Sequence, residues 1–391
     1  MHYDFDQIID RSRNHSAKYD ERKKKFGTDD VIPLWIADMD FKTAQPIIDA
    51  LTARAQEGIW GYTARPESYF EAIRGWQKRR NGWDIDPKLM SFSLGVVQTI
   101  SACVKLFTPE GGSVLIQTPV YSEFYDMAEA WNRKVLENRF LEHDGKWSVD
   151  WADFEEKLQQ ADLFLLCSPH NPLGIVWEEA ELRRMMELCL KHHVLVMSDE
   201  IHSDLIMPGH KHVAFANACK DALPKYLVCT APSKTFNLAT LQTSNIVIPD
   251  EELRTKFQSI LQQHFTPSAG ALGLEACRLG YTECEGWLAE VIDLIYKNYK
   301  NFCKFIDVNC PGVTYSDLQG TYLMWIDCTT FGLDDEALDK LLRKHDLFCD
   351  AGTLFSQGGT MHTRVNLAGP EKMLNAAMQR FKDAYDEAKN A

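Results

Sequence analysis

Leu163-Phe-Leu-Leu-Cys167 is followed by Ser168-Pro-His-Asn-Pro-Leu-Gly174, and Val194-Leu-Val-Met197 is followed by Ser198-Asp-Glu-Ile-His202. Two runs without a charged residue flank a segment with helical spacing. Between Glu178 and His193 the residues Leu182, Met185, Met186, Cys189 and Leu190 share one face. Glu178 and Glu179 open that segment and Lys191, His192 and His193 close it, as the helix dipole favours. Strands apolar on both faces belong inside a parallel sheet covered by helices, so the passage predicts strand, crossover helix and strand.

The same kind of run recurs at Val114-Leu-Ile-Gln117, Leu227-Val-Cys229 and Ile246-Val-Ile248. Together these predict an α/β domain with a mainly parallel central sheet, whose ligands bind at the carboxyl ends of its strands. Beyond Pro267 the pattern changes. A helical stretch from about Ala269 to Asp307, broken near Gly280 and Gly286, precedes strands at Tyr322–Ile326 and His362–Leu367 and helices at Asp334–His345 and Pro370–Lys389. That reads as a smaller α+β unit. The segment up to about Phe41 has few periodic apolar positions and reads as an arm. The expected division is an arm over 1–41 that packs with the small domain, a large domain over 42–285 and a small one over 286–391.

With 391 residues, 45% hydrophobic, the chain can bury large cores without staples. Forty-two basic residues against 56 acidic give a net charge of −14, which argues against nucleic acid as a partner. The eleven cysteines form no CxxC pair and no zinc-spaced cluster, so no metal is expected and reduced thiols in the cytoplasm fit best. The first residues are charged where a secretory segment would be apolar, and no run is long enough to span a bilayer, so neither export nor a membrane is expected.

Four loops beside the apolar runs hold residues that could do chemistry. Asn171 sits in a turn that its prolines and glycine keep out of helix and strand. Asp199 directly follows a buried strand, where a carboxylate must be paired or functional, although a helix cap is an equal alternative on this ground alone. Lys234, in Thr230-Ala-Pro-Ser-Lys-Thr-Phe-Asn237, sits among apolar and small residues, a setting that lowers an amine's pKa and makes it a candidate nucleophile. Gly95, Val96 and Val97 lead into an amphipathic helix whose first N–H groups suit a phosphate.

Taken in this order, the four resemble the fold-type I pyridoxal-phosphate (PLP) enzymes of the class I/II aminotransferase group. The resemblance implies that Lys234 forms the Schiff base, Asp199 meets the pyridine nitrogen and Asn171 meets the ring's phenolic oxygen. Further motifs narrow it: Pro33-Leu-Trp-Ile-Ala-Asp-Met-Asp-Phe41, Gly61-Tyr-Thr63, Gln117-Thr-Pro-Val-Tyr121, Gly320-Thr-Tyr-Leu323 and Arg364-Val-Asn366. Over nearly its whole length the chain is similar to the MalY/PatB subgroup of cystathionine and cysteine-S-conjugate β-lyases. That likeness implies that Tyr121 stacks on the cofactor ring and acts in catalysis, and that His202 lies near the ring oxygen. It also implies that Ser233 joins the phosphate site, that Arg364 and Ala37 bind substrate, and that Tyr62 reaches the phosphate of a neighbouring subunit's cofactor in a homodimer with shared sites.

The implied reaction is cleavage of a small amino-acid thioether. Lys234, once free, removes the Cα proton, thiolate leaves from Cβ, and the remainder ends as pyruvate and ammonia. An aminotransferase with the same cofactor site is the alternative, and a regulatory protein-binding role, known in the subgroup, is a possible second function. Two departures from the wider pattern stand out. Ala231 and Gln242 replace the usual phosphate-binding Ser and basic residue, and Thr240 replaces a Gly, where its side chain is expected to crowd the loop behind the cofactor. His210 and His212 are read as solvated, Arg22 to Lys25 as a solvated face, and Gly352, Gly358 and Gly359 as a flexible loop leading to Arg364.

Overall fold

A computed structural model describes residues 3–11, 13–143, 145–220, 225–263 and 270–390. The decisive passage folds as read: strand β4 (Leu163–Cys167), a helix over Glu179–Lys191 and strand β5 (Leu195–Asp199). Leu182, Met185, Met186 and Cys189 are the helix's buried face, and its first turn is closed by Glu178 and Glu181, which cap each other's backbone. The central sheet also contains β1 (Met90–Ser93), β2 (Ser113–Thr118), β3 (Lys134–Arg139), β6 (Tyr226–Thr230) and β7 (Ser244–Val247), in the order β1-β7-β6-β5-β4-β2-β3.

Both faces of this sheet are covered, which is why the inner strands β2, β4, β5 and β6 are buried nearly end to end, whereas the edge strand β3 is partly exposed. Leu115, Phe164, Leu166, Val196 and Val228 join one core. Ile116, Leu163, Leu165, Met197 and Leu227, the alternate positions, join the other. The pairs β3–β2, β2–β4, β4–β5 and β5–β6 are parallel. The run Ile246–Ile248, expected among the parallel strands, is different: β7 is antiparallel to both β6 and β1. The segment joining β6 to β7 contains only a four-residue helical turn and a 3-10 turn, too little helix to recross the sheet, so the chain re-enters in reverse. Because β1 is antiparallel to β7, it runs the same way as β6. The carboxyl ends of β1, β2, β4, β5 and β6 therefore share one edge.

The helical stretch after residue 269 is two helices, Ala271–Glu283 and Glu285–Asn309. Its expected start at Ala269, and the boundary at Pro267, lie outside the described residues. The break falls at Cys284, not at Gly280, which is buried mid-helix, and Gly286 lies inside the second helix. A Cβ on Gly280 would lie 2.7 and 2.8 Å from ring carbons of Phe236, so glycine there permits close packing on the Lys234 loop.

Strands β8 (Thr314–Tyr315), β9 (Leu323–Asp327), β10 (Asp350–Ala351) and β11 (His362–Asn366) form a second sheet in the order β8-β9-β11-β10. The N-terminal segment adds Ile32–Pro33 parallel to Leu347–Phe348, beside that sheet. We propose the division 1–41, 42–285 and 286–391 on this topology. Among the described residues no helix is long and apolar enough to cross a membrane. All eleven cysteines are free and buried.

Candidate active site

The shared strand edge opens into a cavity of about 580 Å³. Each loop contributes for a local reason. Asp199, the last residue of β5, lies in register between Cys167 of β4 and Cys229 of β6. After β6, Pro232 starts a helical turn, Pro232–Thr235, that carries Ser233 and Lys234. After β4, the loop holds Asn171, whose carbonyl accepts the Tyr121 N–H at 3.1 Å and so joins it to the end of β2. After β1, Gly95 caps the helix Val96–Phe107 and has no side chain to satisfy its first N–H groups. Tyr121, His202, Ala37 and Arg364 also line the cavity.

Lys234 Nζ donates to the Ala37 carbonyl at 2.7 Å, which accepts the Tyr322 hydroxyl at the same distance. Burial, with the positive charge of Arg364 adding to it, lowers the Lys234 amine to about 8, against the pull of Asp38 and Asp199. Asp199 is raised to about 7, first by burial, although Ile201 N–H donates to it at 3.1 Å and Lys234 opposes the shift. Burial keeps His202 neutral, the charges of Lys234 and Arg364 adding to the effect, and its Nδ1 is buried without a hydrogen-bond partner.

Arg364 lies on β11 directly opposite Asp350 on β10 and pairs with its carboxylate. It also donates to Asn171 Oδ1 at 3.0 Å and to the Trp35 carbonyl at 2.9 Å, while its Nε is buried and unpartnered. The backbone of 35–41 is held from both sides. Asn237 bonds to Met39 and Phe41, and Asn366 to the carbonyls of Ile36 and Asp38. Beneath that segment, Lys18, buried, bonds to Asp40 at 2.7 Å, and Arg11 bonds to both Asp38 and Asp40.

One cavity thus gathers every residue expected to hold cofactor or substrate except Tyr62, which is wholly exposed on this chain. Thr240 is exposed and outside the lining, so it does not crowd the site. Gln242 does line it, with a left-handed φ of 46°, and Ala231 is buried. His212 is not solvated: it is buried and bonds to the buried Glu200 at 3.0 Å, while His210 is exposed. Arg22 is occupied by the carbonyls of Tyr19 and Val31, and Lys25 reaches the cavity, so the basic run is only partly a solvated face. Gly352 and Gly359 are buried against each other, where a Cβ on either would meet the other's carbonyl oxygen at 2.0 Å, so that loop is packed. Asp350 was missed, although the rule that marks Asp199, a carboxylate in a short apolar run, applies to Leu347-Phe-Cys-Asp-Ala351 as well.

Residues 29–381 match the family described as aminotransferase class I and II. The chain belongs to that family. It is 39% identical to cystathionine beta-lyase PatB of Bacillus subtilis over 97% of this chain and 99% of that one. It is 29% identical to protein MalY of Escherichia coli over 95% and 96%. The crystal structure of cystalysin from Treponema denticola, which contains a pyridoxal 5'-phosphate cofactor, matches with a TM-score of 0.96 and 35% identity, over 99% of this chain and all of that one. The cavity fits such a group on its own chemistry. It offers an amine near neutrality, a buried carboxyl with no ion pair among the described residues, an unpartnered imidazole nitrogen and a helix N-terminus for a phosphate.

Proposed function

We infer that the protein is a PLP-dependent carbon–sulfur β-lyase that cleaves cystathionine or another cysteine S-conjugate to a thiol, pyruvate and ammonia. The observation that carries this reading is the buried Lys234 amine, held near neutrality, in one cavity with Asp199, Asn171 and Arg364. Lys234 would hold the cofactor, with Asp199 at the pyridine nitrogen, Asn171 and His202 at the ring oxygen and Tyr121 on the ring face. Gly95, Val96, Val97 and Ser233 would hold its phosphate. When bound, the cofactor supplies an electron sink for negative charge at the substrate's Cα.

The remaining work belongs to the side chains. Arg364, with one face committed to Asp350 and Asn171, would bind the substrate carboxylate beside Ala37. An amine with a pKa of about 8 is substantially neutral at slightly alkaline pH, as a base must be to take the Cα proton. Buried, neutral His202 adds no charge to compete with it. We further propose a homodimer in which Tyr62 of each subunit completes the neighbour's phosphate site, supported by the exposure of Ile59, Trp60 and Tyr62 in one short segment. Eleven free thiols support a reducing, cytoplasmic setting.

Turnover of cystathionine with no keto acid present tests the activity. A β-lyase releases pyruvate, ammonia and thiol in equal amounts over many turnovers. An aminotransferase stops after one turnover until an acceptor is added.

A further inference from the structure

Lys25 is a cation of the cavity to which this reading gives no task. It lies in the short helix Arg22–Phe26 of the N-terminal segment and lines the cavity with Trp35, Leu354 and Asp350. Its ammonium is 4.1 Å from the centroid of the Trp35 indole and 3.0 Å from Glu21. The Lys25 and Glu21 side chains are 43% and 41% exposed, and a pair so wet contributes little and yields easily to another carboxylate. The indole is the firmer support. Trp35 is buried against the stacked rings of Phe26 and Phe348, both edge-on to it, and its carbonyl accepts from Arg364.

The other charges of the lining are placed differently. Arg364 and Asp350 neutralise each other, and Lys234 and Asp199 act on one another. Glu123 opens the helix after Tyr121, whereas Lys25 stands over the ring of Trp35, whose carbonyl accepts from Arg364, and both cations act on Asp350. Lys25 therefore belongs to the Arg364 end of the cavity, where the walls include apolar Trp35, Leu354 and Phe355.

We propose that Lys25 is a specificity-determining residue that selects cysteine thioethers whose leaving group ends in a carboxylate. Arg364 takes the α-carboxylate, the apolar walls take the thioether stem, and Lys25 takes the far anionic end. The substrate class rests on the β-lyase reading. The role of Lys25 in binding does not.

Holoenzyme with Lys25, Lys25→Met or Lys25→Arg is titrated by calorimetry with two thioethers that lack the α-amine and cannot react, thiodipropionate and propylthiopropanoate. The same proteins are assayed on S-carboxyethylcysteine and S-propylcysteine. Lys25→Met is expected to lower the preference for the carboxylate-ended member about fivefold in both the calorimetric and the kcat/KM comparison, with the loss falling on KM. Lys25→Arg should keep the preference, and high salt should erase it in the wild type. Equal effects on both members of each pair, or none, overturn the proposal. If the wild type cleaves neither cysteine derivative, the β-lyase reading fails instead, and calorimetry still decides the role of Lys25.

Discussion

Asp199 and Lys234 stand in the same buried cavity with their ordinary ionisation disturbed in opposite directions. Burial raises the Asp199 carboxyl from 3.8 to about 7, so between those values the folded, cofactor-free protein holds a proton that the unfolded chain has lost. Stability from this group falls as pH rises through that window. Lys234 works the other way: lowered from 10.5 to about 8, it makes stability rise as pH climbs between those values. The cofactor-free Asp199→Asn variant should lose the decline between about pH 4 and 7, an effect on the order of a few kcal/mol, read by urea unfolding across pH. An unchanged slope would assign the decline to another group. In the holoenzyme the same substitution should slow turnover by orders of magnitude, because an amide cannot keep the pyridine nitrogen protonated.

Gly280 shows how an element far from the chemistry holds the Lys234 loop in place. Its helix passes so close to Phe236, itself fully buried, that a methyl group has no room. Gly280→Ala should destabilise the protein by about 1–2 kcal/mol, overpacking outweighing the gain in helix propensity, as denaturant unfolding would measure. No loss of stability would mean that the ring can move aside. The sequence mistook this glycine for a break because a close approach between two segments leaves no mark in either one. The crossover helix and the strands beside it were legible, since burial on one face or both imposes a period on the residues themselves. The direction of β7 was not, because Ile246-Val-Ile248 reads the same whichever way it runs. Lys234, Asp199 and Asn171 could be picked out as polar residues at the ends of apolar runs. Asp350 was open to the same rule, whereas the place of Lys25 was not, because a lysine in a run of basic residues reads as solvated until the fold sets the Trp35 ring beside it.

Across the whole molecule, three stretches of chain meet at one cavity: the N-terminal segment through Ala37, the central sheet through its strand ends, and the second sheet through Arg364. If Tyr62 supplies a fourth contribution from a second copy, two inactive variants should complement. Mixed dimers of Tyr62→Ala and Lys234→Ala put both defects in one site and leave the other intact, so subunit exchange should restore part of the activity. No recovery after verified exchange would argue against a shared site. We propose that the Lys234 amine carries the cofactor and moves the Cα proton. Borohydride reduction of the holoenzyme followed by peptide mapping decides this. The cofactor should be found covalently on the peptide containing Lys234, and Lys234→Ala should show neither that adduct nor pyruvate release. A reducible adduct on another lysine, or sustained turnover by Lys234→Ala, would contradict it.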